Sequence, residues 1–551
     1  MRFQIDHDWQ GNMSTPRAKV GESAKTYLLL LLCVFWVLLG LVGHGPWKPT
    51  ESASINIVNH MINGGSLIAP FTTAQTTVET PPLYYLIAVM GAKVFAPFLS
   101  MHDGARLMNT LWMTIVLLMI GMTGRELWAR GVGRHATFIM IGTVGLVMSA
   151  HSLTPEISSL AATATGFYAL ALSKRRPWRA SALLGIALGA GFLSHGFLPI
   201  LILLSTTLVL FTCFKAWRTV SFAKVFGTAL VVALPFISTW LIAMWIQQPL
   251  MLNAWWLNSI DDFKQLNHYY FIRILIWYAW PALPLALWGL WRYRSQLFTK
   301  PKFQLILVFF FCALLFLGLC ADRKDLNALP LLLPLVALGA GSIEHLKRGA
   351  AAALNWFGIS LFGMIGVLVW LGWFAMMTGH PAKIKVRMQF LSAIEEITFN
   401  WLAFIVALIL TVIWLLACLR AKQTNKSTVT NWAVGMTFGW GLLMTLWLPM
   451  IDSAKSYEKV FTSLNAVLPK NYACLNSREV GKSQLLLLNY YTDIELKPFE
   501  TTQILDCDLY LIQDERGVAK MQPGDEWQMI WQGKRAADRR ESFRLFQRVS
   551  Q

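Results

Sequence analysis

Residues 303–320 read FQLILVFFFCALLFLGLC, a stretch without a single acidic, basic or histidine residue. A run of about twenty apolar residues is long enough to cross the hydrocarbon core of a membrane as one helix. Comparable runs recur along the whole chain, so the sequence predicts about thirteen transmembrane helices. These runs begin near residues 26, 106, 136, 159, 180, 197, 225, 272, 303, 326, 354, 401 and 432.

The composition of the chain agrees with a membrane location. Hydrophobic residues make up 56% of the 551 residues and charged residues 14%, against about 25% charged residues in an average soluble protein. The 25 Trp and 33 Phe supply more aromatic surface than one soluble core would bury. The net charge of +18 is spread in short clusters between the apolar runs, which is typical of loops that hold membrane spans in place. We therefore exclude nucleic-acid binding and an ordinary cytosolic enzyme.

The basic clusters predict how the chain is oriented in the membrane. They occupy alternate loops, at residues 125–134, 174–179, 215–224, 292–302, 347–348 and 420–426. Cytoplasmic loops carry the excess of Lys and Arg, so the N-terminus is expected in the cytoplasm, and an odd number of spans puts the C-terminus outside. The cluster formed by Lys383, Lys385 and Arg387 is an exception to this alternation.

Two segments are too polar for the bilayer. Residues 44–104 form a predicted outward loop within a membrane domain of residues 1–451, and residues 452–551 form a predicted small α/β domain outside the membrane. In this tail we expect a helix over 453–468 and strands over 484–489, 509–513, 527–532 and 543–549. Cys474 and Cys507 are the two cysteines of the tail. The tail is expected in an oxidising compartment, where disulfides form, so a disulfide between them is one possibility and a pair of free buried thiols is the other.

Three clusters in the outward loops carry ionisable residues. Burying such residues is costly, so they are candidates for a functional role. They contain Trp47 and Glu51, then Glu79 with Tyr84 and Tyr85, and then Glu156. Glu51 lies in the first turn of a predicted helix, where the dipole also favours an anion. An N-terminal capping role is therefore the alternative for Glu51.

The order of these clusters resembles a family of membrane glycosyltransferases. Residues 47–51 match a W-x-P-D-E motif, residues 79–85 an E-K-P-P-L-Y-Y motif, residues 105–107 an A-R-L motif and residues 154–156 a T-P-D motif. In this respect the chain is similar to the 4-amino-4-deoxy-L-arabinose lipid A transferases and the wider protein O-mannosyltransferase superfamily, which have the GT-C fold. The resemblance covers most of the chain and implies a polyprenyl-phosphate sugar as donor.

The chain departs from the family pattern at several motif positions. Thr50 stands where the family has the aspartate of D-E, and Thr80 where it has the lysine after the glutamate. His195 replaces the lysine of an L-T-K-G turn, and Glu156 replaces the aspartate of T-P-D.

The chemistry of such a transfer assigns expected roles to the outward residues. A carboxylate takes the proton of the acceptor, and cations neutralise the negative charge that develops on the leaving phosphate. Glu51 is the expected base, and Glu79 and Glu156 are further catalytic carboxylates. The expected phosphate-binding residues are Arg106, Lys93, Arg273, Arg323 and Lys324. The expected substrate pocket contains Trp47, Tyr84, Tyr85, His195 and His268.

Other interpretations of the histidines remain open. Glu79 and His268 offer oxygen and imidazole ligands for a divalent metal ion, but no ligand spacing marks a site. His268 fits equally an interfacial position beside Tyr269 and Tyr270. His195 fits a packing role as well as a substrate contact.

The sequence thus predicts a multi-pass glycosyltransferase of a bacterial inner membrane, in contact with membrane lipids. It would move a sugar from a polyprenyl-phosphate carrier to lipid A or another lipid or glycan acceptor at the periplasmic face. One alternative is a catalytically silent homologue that binds polyprenyl lipids and keeps the fold. A secondary transporter is a further alternative, although the acids lie in outward loops and no internal repeat is evident.

Overall fold

The computed structural model describes most of the chain. The described residues are 22–73, 77–129, 131–261, 267–420, 424–469, 472, 474–478, 480–492, 494, 507–515, 524, 526–535, 538 and 541–549. Within these residues the fold is a large helical bundle followed by a small four-stranded sheet.

The first helix leads into a segment with three short helices. Helix α1 comprises Glu22–Leu38, and the segment that follows contains α2 (Ser52–Ile62), α3 (Leu83–Phe95) and α4 (Met101–Leu107). Helix α4 leads almost directly into the long helix α5, so that Met101–Leu127 forms one apolar span.

The bundle is built from apolar helices that pack around a buried centre. They are α5 (Asn109–Leu127), α6 (Val132–Ile141), α7 (Val144–Ala150), α8 (Glu156–Leu172), α9 (Pro177–His195), α10 (Phe197–Cys213), α11 (Val220–Gln247), α12 (Pro249–Asp261), α13 (His268–Tyr278), α14 (Ala282–Arg292), α15 (Pro301–Cys320), α16 (Leu329–Ser342), α17 (Arg348–Thr378), α18 (Ala382–Ser392), α19 (Trp401–Arg420) and α20 (Asn425–Leu446). Helix α8 is buried on nearly every side from Ile157 onward. Because Glu156 opens α8, its carboxylate lies at the end of the most enclosed part of the bundle.

Each of the thirteen predicted apolar runs coincides with a helix. Among the described residues, six helices are long and apolar enough to span a membrane, or nine if each of three bent pairs is one span. The bends lie between α6 and α7 (69°), between α13 and α14 (102°), and after α20 (70°). The other four runs are α1, α8 and α10, at 17 residues each, and α9 at 19 residues. The chain is a multi-pass membrane protein, and the span count of thirteen stays a prediction.

The C-terminal part contains α21 (Leu448–Lys455), α22 (Glu458–Asn465), α23 (Lys482–Thr492), and strands β1 (Leu475–Arg478), β2 (Leu509–Glu515), β3 (Trp527–Gly533) and β4 (Glu541–Arg548). The strand order is β1-β2-β4-β3. Strands β1 and β2 are parallel and the other pairs antiparallel, with Leu511 opposite Leu545. The parallel pair needs a crossover, and α23 supplies it.

Two predictions for this part are wrong in detail. The stretch 484–489 is helix α23 and not a strand, because a short apolar run fits either structure by periodicity and leucine favours helix. The helix expected over 453–468 is two helices, α21 and α22, separated at Ser456 and Tyr457. The strands predicted over 509–513, 527–532 and 543–549 are confirmed. The boundary at residue 452 falls within α21 and stays a prediction.

The two cysteines of the tail are joined. Cys474 and Cys507 form a disulfide with their Cα atoms 4.8 Å apart. The bond links the start of β1 to the start of β2, and thereby closes the loop that contains α23. The structure thus has the first of the two alternatives considered for this pair.

Candidate functional site

Glu51 and Arg106 form a buried ion pair with two parallel contacts. Arg106 Nε lies 2.9 Å from Glu51 Oε1, and Arg106 Nη2 lies 3.1 Å from Glu51 Oε2. Arg106 is 1% and Glu51 2% exposed. This two-point geometry is the strongest arrangement that an arginine makes with a carboxylate. The first motif and the A-R-L motif, 55 residues apart in the chain, therefore meet in the fold.

The remaining donors of Arg106 are also engaged by the protein. Nη1 donates to Asp103 Oδ1 at 3.0 Å and to the carbonyl oxygens of Leu41 (3.1 Å) and His44 (3.3 Å). Nη2 also reaches the carbonyl of Gly45 at 3.5 Å. Since a guanidinium has five N–H donors, this set leaves Arg106 no donor for a ligand. The position expected to bind phosphate instead holds residues 41–51 against α4.

Both carboxylate oxygens of Glu51 also have their hydrogen-bond partners within the protein. Besides Arg106, Oε2 accepts from the Trp47 backbone N–H at 3.0 Å and Oε1 from the Leu153 backbone N–H at 2.8 Å. Burial alone would raise the pKa of Glu51, but the charge of Arg106 and these hydrogen bonds outweigh burial and lower it. A carboxylate that is so stabilised as an anion is a poor proton acceptor. The geometry therefore does not support Glu51 as the base.

The capping alternative is correct about the position of Glu51 at the N-terminal end of α2 but wrong about the role of its side chain. Glu51 is the residue that precedes the first turn of α2, yet its side chain makes no capping hydrogen bond. The carboxylate points to Arg106 instead, so the ion pair fixes this side chain and not the helix end.

The turn before α8 is held from two sides. Glu51 binds the Leu153 nitrogen, while Asn109 Nδ2 donates to the carbonyl oxygens of Ser152 (2.7 Å) and Ala150 (3.3 Å). Asn109 is in turn fixed by the buried Tyr84, whose hydroxyl donates to its Oδ1 at 3.0 Å. These contacts set the start of α8, three residues after Leu153.

Glu156 differs from Glu51 in having an unused carboxylate oxygen. Its Oε2 is buried and has no hydrogen-bond partner among the described residues. It stands at the N-terminal end of α8, where the helix dipole favours an anion. The carboxylate is within electrostatic range of the Tyr85 and Tyr278 hydroxyls and of Lys324. A buried, unpartnered polar atom calls for an explanation.

Glu79 lies near Glu156 and pairs with a lysine of the C-terminal part. Lys482 Nζ is 3.0 Å from Glu79 Oε1, with 41% and 32% of the two side chains exposed. The charges of Glu79 and Glu156 both act on Lys324. Burial alone would lower the pKa of Lys324, but Asp322 at 3.1 Å, aided by these two carboxylates, raises it. Because Lys482 pairs with Glu79, and the charges of Glu79 and Glu156 both act on Lys324, we refer to Glu79, Glu156, Lys324 and Lys482 as the Glu156 cluster.

The other predicted cations are exposed or have different partners. Lys93 is exposed near the C-terminal end of α3, and eight residues of helix separate it from Tyr85 by about 12 Å. Arg273 is exposed on α13. Arg323 is next to Lys324 but donates to Asn267 Oδ1 at 2.7 Å. Among the five predicted phosphate ligands, Lys324 is within electrostatic range of Glu156.

Three of the five predicted pocket residues lie at these two groups, and the two histidines are at helix ends. Trp47 belongs with the Glu51 pair, where it stacks on His44 with ring centres 4.1 Å apart. The buried Tyr84 and Tyr85 lie between Glu51 and the Glu156 cluster, since Tyr84 is within electrostatic range of both glutamates. His195 ends α9. His268 begins α13 and packs on Gly318.

The described residues contain no group of three or more His, Cys, Asp or Glu side chains placed to hold a metal ion. Glu79, one of the two expected ligands, pairs with Lys482 instead. The divalent metal ion expected at Glu79 and His268 therefore stays a prediction and enters no step proposed below.

Four contacts from the C-terminal part were missed because they join residues about 400 or more positions apart. Asp452 Oδ1 accepts from Gly45 N and from Trp47 Nε1, both at 3.0 Å. The buried Glu541 accepts from Lys48 at 3.0 Å. With Lys482 on Glu79, these contacts fasten residues 45–79 to the C-terminal part. No local motif marks Asp452, Lys482 or Glu541.

An apolar cavity of about 620 Å³ lies on other elements, between α17, α19 and α20. Its lining includes Gly363, Trp370, Phe404, Trp414 and Phe438. Its apolar and aromatic lining is that expected for a groove that binds a lipid tail, but none of its lining residues belongs to the Glu156 cluster.

These elements define a membrane protein of the GT-C type, the fold class of glycosyltransferases that was expected from the motifs. The solved structures of ArnT from Cupriavidus metallidurans share this fold. The structure bound to undecaprenyl phosphate matches with a TM-score of 0.65 and the apo structure with 0.66, each at 14% identity over 95% of this chain and 98% of that chain. The resemblance is therefore confirmed at the level of the superfamily fold.

Curated relatives point to the same superfamily. An undecaprenyl phosphate-alpha-4-amino-4-deoxy-L-arabinose arabinosyl transferase of Pseudomonas savastanoi pv. phaseolicola is 26% identical over 60% of this chain and 64% of its own length. A protein of the same name from Pseudomonas fluorescens is 25% identical over 84% of this chain and 78% of its own length. This chain thus spans less than two thirds of the first relative. No family model matches the chain.

Proposed function

We propose that this protein is a membrane glycosyltransferase that transfers a sugar from a polyprenyl-phosphate donor to an O–H group of a lipid or glycan acceptor. The observation that carries the proposal is the buried, unpartnered Oε2 of Glu156 beside Lys324, in a chain with the GT-C fold. The donor class follows from the relatives' names, which specify undecaprenyl phosphate.

In the proposed reaction Glu156 is the general base. The acceptor oxygen attacks the anomeric carbon of the sugar, and its proton passes to the Glu156 carboxylate. The bond from the anomeric carbon to the phosphate oxygen breaks, and polyprenyl phosphate leaves with one additional negative charge. Lys324, with 62% of its side chain exposed, partly neutralises that charge, because a fixed cation stabilises charge as it develops.

Glu51 and Arg106 are positioning residues in this proposal. They contact the turn that precedes Glu156 and have no free hydrogen-bonding capacity of their own. The basic loops favour a cytoplasmic N-terminus. Together with the expected odd number of spans, this supports a periplasmic position for the Glu156 cluster and the C-terminal part.

The test is a transfer assay with the full-length protein in lipid nanodiscs. The donor is undecaprenyl phosphate carrying labelled 4-amino-4-deoxy-L-arabinose, and the acceptor is lipid A in mixed micelles. We expect label in the lipid A fraction and release of undecaprenyl phosphate in equal amounts. Saturable binding of undecaprenyl phosphate without turnover of this donor, or of a panel of other polyprenyl-phosphate sugars, would instead identify the silent lipid-binding homologue. Absence of both binding and turnover would contradict the proposal.

A further inference from the structure

Helix α23 brings the C-terminal part onto the segment that carries Glu79. Asn489 of α23 accepts from Asn56 Nδ2 of α2 at 2.7 Å. At the start of α23, Lys482 Nζ lies 3.0 Å from Glu79 Oε1. The disulfide between Cys474 and Cys507 closes the loop around α23. Lys482 is thus held at the edge of the Glu156 cluster by a segment about 400 residues away in sequence.

The proposed reaction needs more positive charge at the leaving phosphate than Lys324 provides. A phosphodiester donor carries one negative charge, and the polyprenyl phosphate that leaves gains a second. Arg106 has no donor left for a ligand, and Lys93 lies about 12 Å along α3 from Tyr85. Thr80 directly follows Glu79 and supplies no charge. Lys482 is the cation that the fold places beside Glu79.

We propose that Lys482 binds the phosphate of the donor, so that the C-terminal part completes the transfer site. This inference rests on the proposed function. Exposed ion pairs contribute little to stability, so structural support is a weak reason for the contact between Lys482 and Glu79. The contact instead holds the lysine beside Glu79, whose charge also acts on Lys324. A lysine binds phosphate as a point charge, and 41% of the Lys482 side chain is exposed.

The experiment measures the affinity of the full-length protein for undecaprenyl phosphate, together with transfer kinetics. We expect Lys482→Ala to weaken binding of undecaprenyl phosphate by about 10- to 100-fold, as for loss of a hydrogen bond to a charged group. The variant should also raise KM for the donor and lower kcat, because the leaving phosphate carries more charge than the bound donor. Lys482→Arg should restore most of the affinity. Lys459→Ala removes an exposed lysine of α22 and should match the wild type.

A second variant separates phosphate binding from a simple ion pair. If Lys482 serves only as the partner of Glu79, then Glu79→Gln and Lys482→Ala should have equal effects, and the double variant should add nothing. If Lys482 binds phosphate, Lys482→Ala should weaken binding in the Glu79→Gln background as well.

The outcomes distinguish this inference from the proposed function. Wild-type binding and turnover with unchanged affinity in Lys482→Ala would overturn the inference and leave the function intact. A wild-type protein that neither binds undecaprenyl phosphate nor transfers the sugar would overturn the function itself. A wild-type protein that binds without turnover still tests Lys482 through the affinity measurement.

Discussion

The Glu51 carboxylate lies 2.8 Å from the backbone nitrogen of Leu153, three residues before Glu156. This contact links two parts of the site that have different tasks. Arg106 fixes Glu51, Glu51 fixes the turn, and the turn fixes the start of α8. Neighbouring residues fix the backbone at Glu156, and the Oε2 atom of Glu156 has no hydrogen-bond partner among the described residues.

Glu156→Gln should remove transfer without unfolding the protein. General base catalysis contributes typically about 10²- to 10⁴-fold, so we expect a single-turnover rate reduced by that factor. The melting temperature should stay close to that of the wild type, since Oε2 has no hydrogen bond to lose. Glu395→Gln, at an exposed position after α18, is the matched control and should be fully active. A Glu156→Gln variant with wild-type turnover would remove Glu156 from the mechanism.

Loss of Arg106 should destabilise the protein more than loss of either of its partners. Arg106 contacts Glu51 at 2.9 Å and Asp103 at 3.0 Å, so Arg106→Leu leaves two carboxylates uncompensated. Breaking a buried pair costs about 3–5 kcal/mol. Glu51→Gln leaves Arg106 with Asp103 and should cost less. Because the two residues are in contact, the combined variant Glu51→Leu with Arg106→Leu should cost less than the sum of the single changes, as measured by unfolding in mixed micelles.

The Glu51 pair also predicts how stability depends on pH. The pKa of folded Glu51 lies below its ordinary value near 4.5. Ionised Glu51 therefore stabilises the fold fully above that ordinary value, and the contribution is lost as the pH falls through the folded-state pKa. The difference in melting temperature between wild type and Glu51→Gln should be constant from neutral pH to about pH 5 and shrink on further acidification. A difference that grows with acidification would contradict the assigned direction.

Lys48→Ala should loosen the attachment of the C-terminal part. Lys48 lies 3.0 Å from the Glu541 carboxylate, which also accepts from Gln484 at 3.1 Å and from Tyr457. Removing the lysine leaves a buried carboxylate without this charge partner. We expect faster cleavage in the C-terminal part during limited proteolysis and a lower transfer rate. Lys534→Ala, at an exposed position after β3, should be cleaved like the wild type.

The sequence predicted the architecture because apolar runs and basic clusters are local signals. Each predicted run is a helix, and the strand predictions fail only at 484–489, where four successive leucines fit either structure. Patterns cannot count spans closely, since α8 is buried within the bundle and need not be as long or as apolar as a helix that faces lipid.

For the site, sequence motifs identified the correct segments but not the hydrogen-bond partners of each side chain. The motif of residues 47–51 does meet Arg106, as the order of motifs suggested. All donors of Arg106 and both oxygens of Glu51 are engaged by the protein. Some of these contacts are made by backbone carbonyl groups and by the Leu153 nitrogen, which no motif records. Lys482 and Asp452 reach the site through tertiary contacts across some 400 residues, so only the fold reveals them.

The most direct test of the account is a structure of the full-length protein with undecaprenyl phosphate bound. We predict that the phosphate contacts Lys324 and Lys482, with the Glu156 carboxylate facing the adjacent space and the pair between Glu51 and Arg106 intact. A phosphate bound to Arg106 with Glu51 displaced, or one remote from a still enclosed Glu156, would contradict the assignment of the transfer centre.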